Sequence, residues 1–173
     1  KYLIMFISIV IPTYNRLGIL IKSLQSLEDQ DLLPGIQGYE VLVIDDGSTD
    51  GTVYWLKDNA NQFPHVRLIE QDHGGAAKAR NTGVEYSKAD IIVFIDSDLV
   101  VERNFLSSHF RALRKEWKKR GNRLCFTYGA VINTSNFENP CSENFKINDL
   151  SWAYFATGNV AIDRQILIQS GLF

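Results

Sequence analysis

The stretch IIVFIDSDLV, residues 91–100, decides the fold. It opens with a run of apolar residues without polar alternation, which is the pattern of a strand buried on both faces of a sheet. Two carboxylates, Asp96 and Asp98, follow this strand with one serine between them. Sheets buried on both faces are parallel and covered by helices, and they bind ligands beyond the carboxyl ends of their strands. The stretch therefore predicts an α/β fold with a polar site at the end of a strand.

The rest of the chain repeats the order of apolar strand, polar loop and helix. Apolar residues at helical spacing predict one helix through Leu24 and a second through Leu56. Residues 133–152 are rich in Asn and Ser, and we expect a long irregular segment there. The predicted fold class is α/β, a mostly parallel sheet flanked by helices, with residues 1–173 as a single domain. Further strands are predicted over residues 6–11, 40–44, 66–70 and 124–132.

Composition limits the classes of partner. A formal net charge of -2 and a pI near 5.9 argue against nucleic acid, which a basic excess usually accompanies, and favour a small molecule. The apolar start before Pro12 is too short for a bilayer span of about 20 residues. The two cysteines, Cys125 and Cys141, have neither metal spacing nor a disulfide framework, so a cytoplasmic location fits.

Polar loops follow the predicted strands, and the octet DDGSTDGT at residues 45–52 is the first of interest. Two adjacent carboxylates, Asp45 and Asp46, cannot both cap a helix, so one can accept hydrogen bonds from a pyrimidine N–H or ribose hydroxyls. Residues 48–52 fit a tight turn with a helix N-cap equally well. We therefore predict a nucleotide contact at this carboxylate pair.

The loop DHGGAAKARN at residues 72–81 precedes a predicted helix. Its glycines permit close approach of the backbone, and the helix start offers free N–H groups to a diphosphate. Lys78 and Arg80 are candidate phosphate contacts, although plain solvated helix charges explain them at least as well.

The DSD tripeptide is best explained by a cation. Mg²⁺ and Mn²⁺ prefer oxygen ligands, typically one or two carboxylates completed by substrate phosphates and water. Asp96 and Asp98 supply such a pair. The alternative is that both aspartates only end the strand and cap the helix near Asn104.

As a set, SIVIPTYNR, VLVIDDGSTDGT, GGAAKARNTG and DIIVFIDSD resemble the family 2 glycosyltransferases in order and spacing. TGNVAIDRQILIQSGLF, residues 157–173, is also similar to the stretch that follows the long loop in that family. The resemblance implies the A-type glycosyltransferase fold. It also implies transfer of a sugar, with inversion, from a nucleotide diphosphate donor, usually UDP, to a saccharide or lipid-linked acceptor.

The resemblance also implies roles for individual residues. Pro12, Tyr14 and Asp46 are implied to contact the base, Asp96 the ribose or the metal, and Asp98 the metal, which would be Mn²⁺ or Mg²⁺. Asp45 and Lys78 join the nucleotide-binding candidates from the residue patterns given above. Gly158 and Asn159 are expected on the acceptor side. The general base of family members lies beyond the GLF stretch, so we expect a C-terminally truncated domain whose base lies past Phe173. The carboxylates that remain near the end match no motif of the family: Glu138, Glu143, Asp149 and Asp163.

Two rival functions remain at this level. IVFIDSDLV also fits the nucleophile motif of haloacid dehalogenase phosphatases, but the other loops would then be unexplained. A nucleotide-sugar binding module without its base is the nonenzymatic alternative. Residues 111–123 carry seven basic side chains and one acid, which indicates either solvated surface or a peripheral contact with anionic lipid at the inner face of the membrane.

Overall fold

The protein is described from a computed structural model over residues 4–132, 134, 136, 150–151 and 158–173. Helices and strands alternate along most of these residues, and a short 3₁₀ turn at Ala60–Gln62 follows the second helix. In chain order the elements are β1 (Met5–Thr13), α1 (Leu17–Leu27), β2 (Ile36–Asp45), α2 (Thr52–Asp58), β3 (Val66–Glu70), α3 (Ala76–Tyr86), β4 (Ile91–Ile95), α4 (Phe105–Arg120), β5 (Phe126–Tyr128), β6 (Val131–Ile132), β7 (Leu150–Ser151), β8 (Asn159–Asp163) and α5 (Arg164–Ser170).

One six-stranded sheet organises these elements, in the order β3-β2-β1-β4-β8-β5. The first four strands are parallel, whereas β8 runs antiparallel to both β4 and β5. The short strands β6 and β7 pair with each other in a separate sheet. The predicted class, a mostly parallel sheet flanked by helices, is confirmed.

Both faces of the sheet are covered, which explains the uninterrupted apolar strands. Side chains alternate between the faces along a strand, so Val93 packs towards α1 and α4 while Phe94 packs towards α3 and α5. Helix α4 contributes Leu106, Phe110, Leu113 and Trp117 to the core that contains Val93, at the spacing expected for one helical face. Burial on both sides leaves the strand ends as the places where polar residues of the sheet meet solvent.

Helix α3 lies directly on the sheet because Gly83 has no side chain. A Cβ atom at Gly83 would lie 2.3 Å from Cγ1 of Val10, which is fully buried in β1. The close approach fixes the position of α3 over the centre of the sheet. It therefore also fixes the loop before α3, which reaches the carboxyl ends of the strands.

The C-terminal part differs from the prediction. The single strand expected over residues 124–132 is wrong, because the chain leaves the sheet after Tyr128 and pairs with β7 instead. The break falls at Gly129, whose N–H donates to the Asn159 carbonyl and whose Cα lies against the Asn159 side chain. Strand β8 was not predicted, and β5 is followed by a strand rather than by a helix.

Element boundaries elsewhere agree with the prediction within a few residues. Strands β3 and β4 have the predicted bounds, whereas β1 and β2 begin earlier. Helices α1 and α2 form around Leu24 and Leu56 as expected. Of the irregular segment over residues 133–152, the structure describes residues 134, 136 and 150–151, and the last two form β7.

Candidate functional site

The ends of β1, β2 and β4 gather on one edge of the sheet and border a cleft of about 420 Å³, a size typical of small-ligand sites. The loop between β3 and α3 closes its side. A second cavity of about 430 Å³ lies beside α3 and α5, and among the described residues Glu85 and Arg164 are the charged groups that line it. The residues that line the first cleft are Pro12, Thr13, Tyr14, Arg16, Asp46, His73, Gly75, Ala76, Arg80, Asp96, Ser97 and Asp98.

Asp46 is the most heavily bonded carboxylate of the cleft. It is 3% exposed, and its Oδ1 accepts from Gln71 Nε2 at 2.6 Å and from the N–H of Gly74 at 2.9 Å. Its Oδ2 accepts from the N–H of Gly75 at 2.8 Å and lies 2.9 Å from His73 Nδ1. Burial raises the pKa of Asp46, but the hydrogen bonds outweigh burial and hold the pKa below its ordinary value. The carboxylate is therefore ionised, and it ties β2 to the β3–α3 loop.

Tyr14 and His73 form an aromatic pair at the mouth of the cleft. Their ring centroids are 4.4 Å apart with an angle of 34° between the planes. Tyr14 is largely exposed, and His73 was not singled out from the sequence because a lone histidine in a glycine loop carries no pattern. Pro12 and Tyr14 both line the cleft with His73 beside them, and their contact with a nucleobase stays a prediction.

Residues 45–52 form a turn that holds the β1–α1 loop. Asp45 is buried, and its Oδ2 accepts from the Ser48 N–H at 2.9 Å. Ser48 Oγ accepts from the Asn15 N–H, and Asp50 accepts from the Leu17 N–H at the start of α1. The turn explanation therefore holds for residues 48–52. It extends to Asp45, whose predicted nucleotide contact is not supported, because this carboxylate closes the turn instead of lining the cleft.

Lys78 and Arg80, both in the first part of α3, differ in their position relative to the cleft. Lys78 lies across Gly74, and its Nζ donates to the Asp72 carbonyl at 3.2 Å, so it borders the loop without lining the cleft. Arg80 is only 11% exposed and donates to Asp96 Oδ1 at 2.7 Å. The interpretation of Arg80 as a solvated helix charge is wrong, since this guanidinium is buried at the end of β4.

Each carboxylate of the DSD tripeptide has its own arginine. Asp96 pairs with Arg80, and Asp98 Oδ2 pairs with Arg16 NH1 at 2.8 Å. Both aspartates are close to half exposed, and within the described residues neither has a hydrogen-bond donor on its second oxygen. Arg16 was not predicted, because its partner lies 82 residues further along the chain.

The donor set fits a hard divalent cation that completes its shell with ligand oxygens. In the described part of the chain no three His, Cys, Asp or Glu side chains converge on one point, so the described residues offer a pair of carboxylates here. Two carboxylates with free oxygens, open to a cleft, are what Mg²⁺ or Mn²⁺ uses when substrate phosphates and water supply the other ligands. Asp96 and Asp98 are therefore the residues that would hold such an ion.

The two predicted acceptor-side residues lie beside β4. Gly158 is pressed against Asp96, since a Cβ atom there would lie 2.8 Å from Asp96 Oδ2. Asn159 Oδ1 lies 2.8 Å from Nε2 of the buried His109, whose Nδ1 lies 2.7 Å from Thr127 Oγ1. Gly158 thus borders the DSD carboxylates, while the Asn159 side chain joins β8 to α4 and β5.

Of the four carboxylates that match no motif of the family, Asp163 lies in the described part of the chain, where it stabilises the fold. It ends β8 opposite Ile91, at the far edge of the sheet from Asp96. Its Oδ1 caps α5 by accepting from the Gln165 N–H, and its Oδ2 pairs with Arg123 at 2.9 Å. Glu138, Glu143 and Asp149 lie outside the described residues.

A mostly parallel sheet in this order, with acidic loops at its carboxyl edge, is the A-type glycosyltransferase fold. The sequence profile of glycosyl transferase family 2 matches residues 8–169, and the chain belongs to this family. The match covers all four strand-end loops, so the haloacid dehalogenase alternative has no support.

Individual relatives agree with this placement. The chain is 33% identical over 109 residues to the uncharacterized glycosyltransferase YfnE of Bacillus subtilis, a match of 63% of this chain and 27% of the relative. It resembles the mannosyltransferase PcManGT of Pyrobaculum calidifontis, solved with GDP-Man and Mn²⁺, with a TM-score of 0.69 and 26% identity over 98% of this chain and 48% of that one.

A second solved relative is the TarS fragment 1–349 of S. aureus in complex with UDP-GlcNAc. The TM-score is 0.56 and the identity 28%, over 66% of this chain and 32% of that one. The chain thus spans about a quarter of the curated relative and a third to a half of the solved ones.

Proposed function

We propose that this protein binds a nucleoside diphosphate sugar, with UDP as the nucleotide. We further propose that it transfers the sugar with inversion to a saccharide or lipid-linked acceptor. The proposal rests on one observation: Tyr14, Asp46, Arg80 and the DSD carboxylates all line the same cleft at one edge of the sheet. Solved relatives in complex with UDP-GlcNAc and with GDP-Man support a nucleotide-sugar donor.

In this proposal the base binds at Tyr14 and Asp46. Tyr14 offers an exposed ring for stacking next to Pro12, and Asp46 offers an ionised acceptor for a base N–H.

The diphosphate lies towards Arg80. This guanidinium lines the cleft beside the DSD carboxylates and brings a positive charge to that end, which an anionic ligand can use. Lys78 needs only to leave the Asp72 carbonyl to join it.

Asp96 and Asp98 would hold Mn²⁺ or Mg²⁺, and such an ion stabilises the negative charge that grows on the leaving diphosphate. Arg16 and Arg80 keep the two carboxylates in place and limit their mutual repulsion. Gly158 leaves space beside Asp96 in which the acceptor could bind, because the side chain of any larger residue would collide with this carboxylate.

Calorimetric titration of UDP in the presence of Mn²⁺ tests the proposal. We expect Asp98→Asn to weaken UDP binding on the order of 10- to 100-fold and to abolish its sensitivity to EDTA. Asp29→Asn is the matched control, because Asp29 also forms an exposed ion pair, with Arg103 at 3.0 Å, away from the cleft. Equal UDP affinity in wild type, Asp98→Asn and EDTA-treated protein would refute the metal assignment.

Turnover separates an enzyme from a binding module. Because the general base is expected past Phe173, turnover is measured on the full-length protein. Release of UDP from UDP-sugars in the presence of simple saccharide acceptors is expected for a transferase, whereas binding without release would favour the binding module. The acceptor panel also distinguishes a saccharide from a lipid-linked saccharide.

The end of α4 is proposed as a peripheral membrane contact, which would place the protein at the inner face of the membrane. Lys115, Lys118 and Lys119 are exposed, and Leu124 follows on the surface at 66% exposure. Cations beside an apolar residue suit anionic lipid, where a lipid-linked acceptor would be found. None of the helices in the described residues has both the length and the apolar character that a bilayer span requires.

A further inference from the structure

We infer that His73 occupies the nucleobase position of the cleft and must leave it when the donor binds. The inference rests on the proposed function, and it concerns the same site. It starts from the Asp46 carboxylate, which offers about four lone-pair positions and has four donors around it: Gln71, His73, Gly74 and Gly75. A carboxylate bonded in this way has no position left for the N–H of a base.

The four donors are not equivalent. Two are backbone N–H groups of the β3–α3 loop, and Gln71 is held at the end of β3 by the hydrogen bond from its N–H to the Asp45 carbonyl. The fourth is a side chain that is 60% exposed, so it leaves at little cost in buried surface. Displacing His73 therefore frees one position on Asp46 Oδ2 while the other three hydrogen bonds keep the loop in place.

The His73 ring presents the chemistry of a base N–H. Nδ1 lies 2.9 Å from Asp46 Oδ2 and 3.0 Å from the Asp46 carbonyl, and both oxygens are acceptors. Nδ1 must therefore carry a proton and donate it, as the ring N–H of uracil or guanine would. A planar aromatic ring that donates N–H to this carboxylate is what the nucleobase is proposed to be.

The same ring also takes the stacking surface. The His73 centroid lies 4.4 Å from that of Tyr14, so one face of the tyrosine is already covered. His73 thus takes both positions that the proposed function assigns to the base, with its ring tilted by 34° against Tyr14 and its N–H donated to Asp46. A base can use this face of Tyr14 and Asp46 Oδ2 together only after the imidazole has moved, and His73 therefore competes with the donor from within the chain.

The competition predicts that removal of the imidazole strengthens nucleotide binding. The net value of a hydrogen bond implies that His73→Ala binds UDP roughly 3- to 10-fold more tightly than wild type. The gain should be equal for uridine, which lacks phosphates, and absent for pyrophosphate with Mn²⁺. His65→Ala is the matched control, because His65 also stacks on a tyrosine, Tyr39 at 4.3 Å, and bonds a carboxylate, Glu28 at 2.9 Å, at the opposite end of β3.

A second measurement on unaltered protein guards against a misfolded variant. Titration with UDP should shift the ring resonances of His73 in an NMR spectrum and leave those of His65 in place. Weaker UDP binding by His73→Ala would overturn the inference, because the histidine would then be a direct contact. An equal gain for pyrophosphate would overturn it as well, since the cleft as a whole would have loosened. If neither the wild type nor His73→Ala binds any nucleoside diphosphate, the proposed function itself fails.

Discussion

Replacement of Gly83 by alanine tests how closely α3 lies on the sheet and whether that approach maintains the site. The added Cβ would lie 2.3 Å from Cγ1 and 2.9 Å from Cγ2 of Val10, and both distances are shorter than the 3.4 Å at which ordinary contact begins. Val10 is fully buried and has a stiff side chain, so α3 itself must shift. Overpacking of this kind costs about 1–3 kcal/mol, and alanine returns up to about 1 kcal/mol through helix propensity. We expect a net loss of about 1–2 kcal/mol.

Thermal unfolding measures this loss. For a chain of this size about 2–4 °C is lost per kcal/mol, so the melting temperature should fall by about 2–8 °C. Gly18→Ala is the control, because Gly18 lies exposed in α1 with no atom within 4 Å of a Cβ, and it should raise stability. UDP affinity of Gly83→Ala should fall too, since α3 carries Arg80. A melting temperature raised in both variants would show that α3 does not lie as close to β1 as described.

Two further predictions concern pH and membranes. Burial lowers the pKa of His109, although its hydrogen bond with Asn159 acts in the opposite direction. The stability that depends on neutral His109 is therefore complete above the unfolded value of about 6.5 and is lost as pH falls through the lower folded value. Between about pH 7.5 and 5 the melting temperature of the wild type should fall more steeply than that of His109→Gln. Parallel curves of melting temperature against pH would contradict this. In flotation assays, vesicles with anionic lipid should bind the protein in a salt-sensitive way, and neutral vesicles should not. The double variant Lys118→Glu, Lys119→Glu should abolish flotation, whereas the control double variant Lys57→Glu, Lys88→Glu should still float. Equal binding of the wild type to both vesicle types would refute the membrane contact.

The sequence predicts the parallel half of the sheet well because its signals are local. Strand β4 is a wholly apolar run and β3 a short run rich in apolar residues, and polar residues flank both, so their limits can be read directly. The meeting of the strand-end loops follows from the parallel order alone, since carboxyl ends of parallel strands share one edge. This is why Tyr14, Asp46, Asp96 and Asp98 are found in one cleft as expected.

The antiparallel half and the partners within the site depend on contacts that no local pattern encodes. Strand β8 is a short NVAID run whose burial comes from its position between β4 and β5. Gly129 breaks the predicted long strand only because Asn159 lies beside it. The arginines that hold the DSD carboxylates lie on other elements, and a pairing across 82 residues becomes visible only in three dimensions. The same holds for His73, whose significance depends on its distances to Tyr14 and Asp46.

The place of β8 in the sheet has a consequence for synthesis on the ribosome. The outer edge of β4 is paired by β8, which begins only at Asn159. At translation rates of about 5–20 residues per second, roughly 3–13 seconds pass between the emergence of β4 and that of its second neighbour. During this interval the wholly apolar IIVFI strand is an unpaired sheet edge, the kind of segment that joins other chains. The length of the chain between β4 and β8 therefore acts as a timer on aggregation, and shortening it should increase the yield of folded protein.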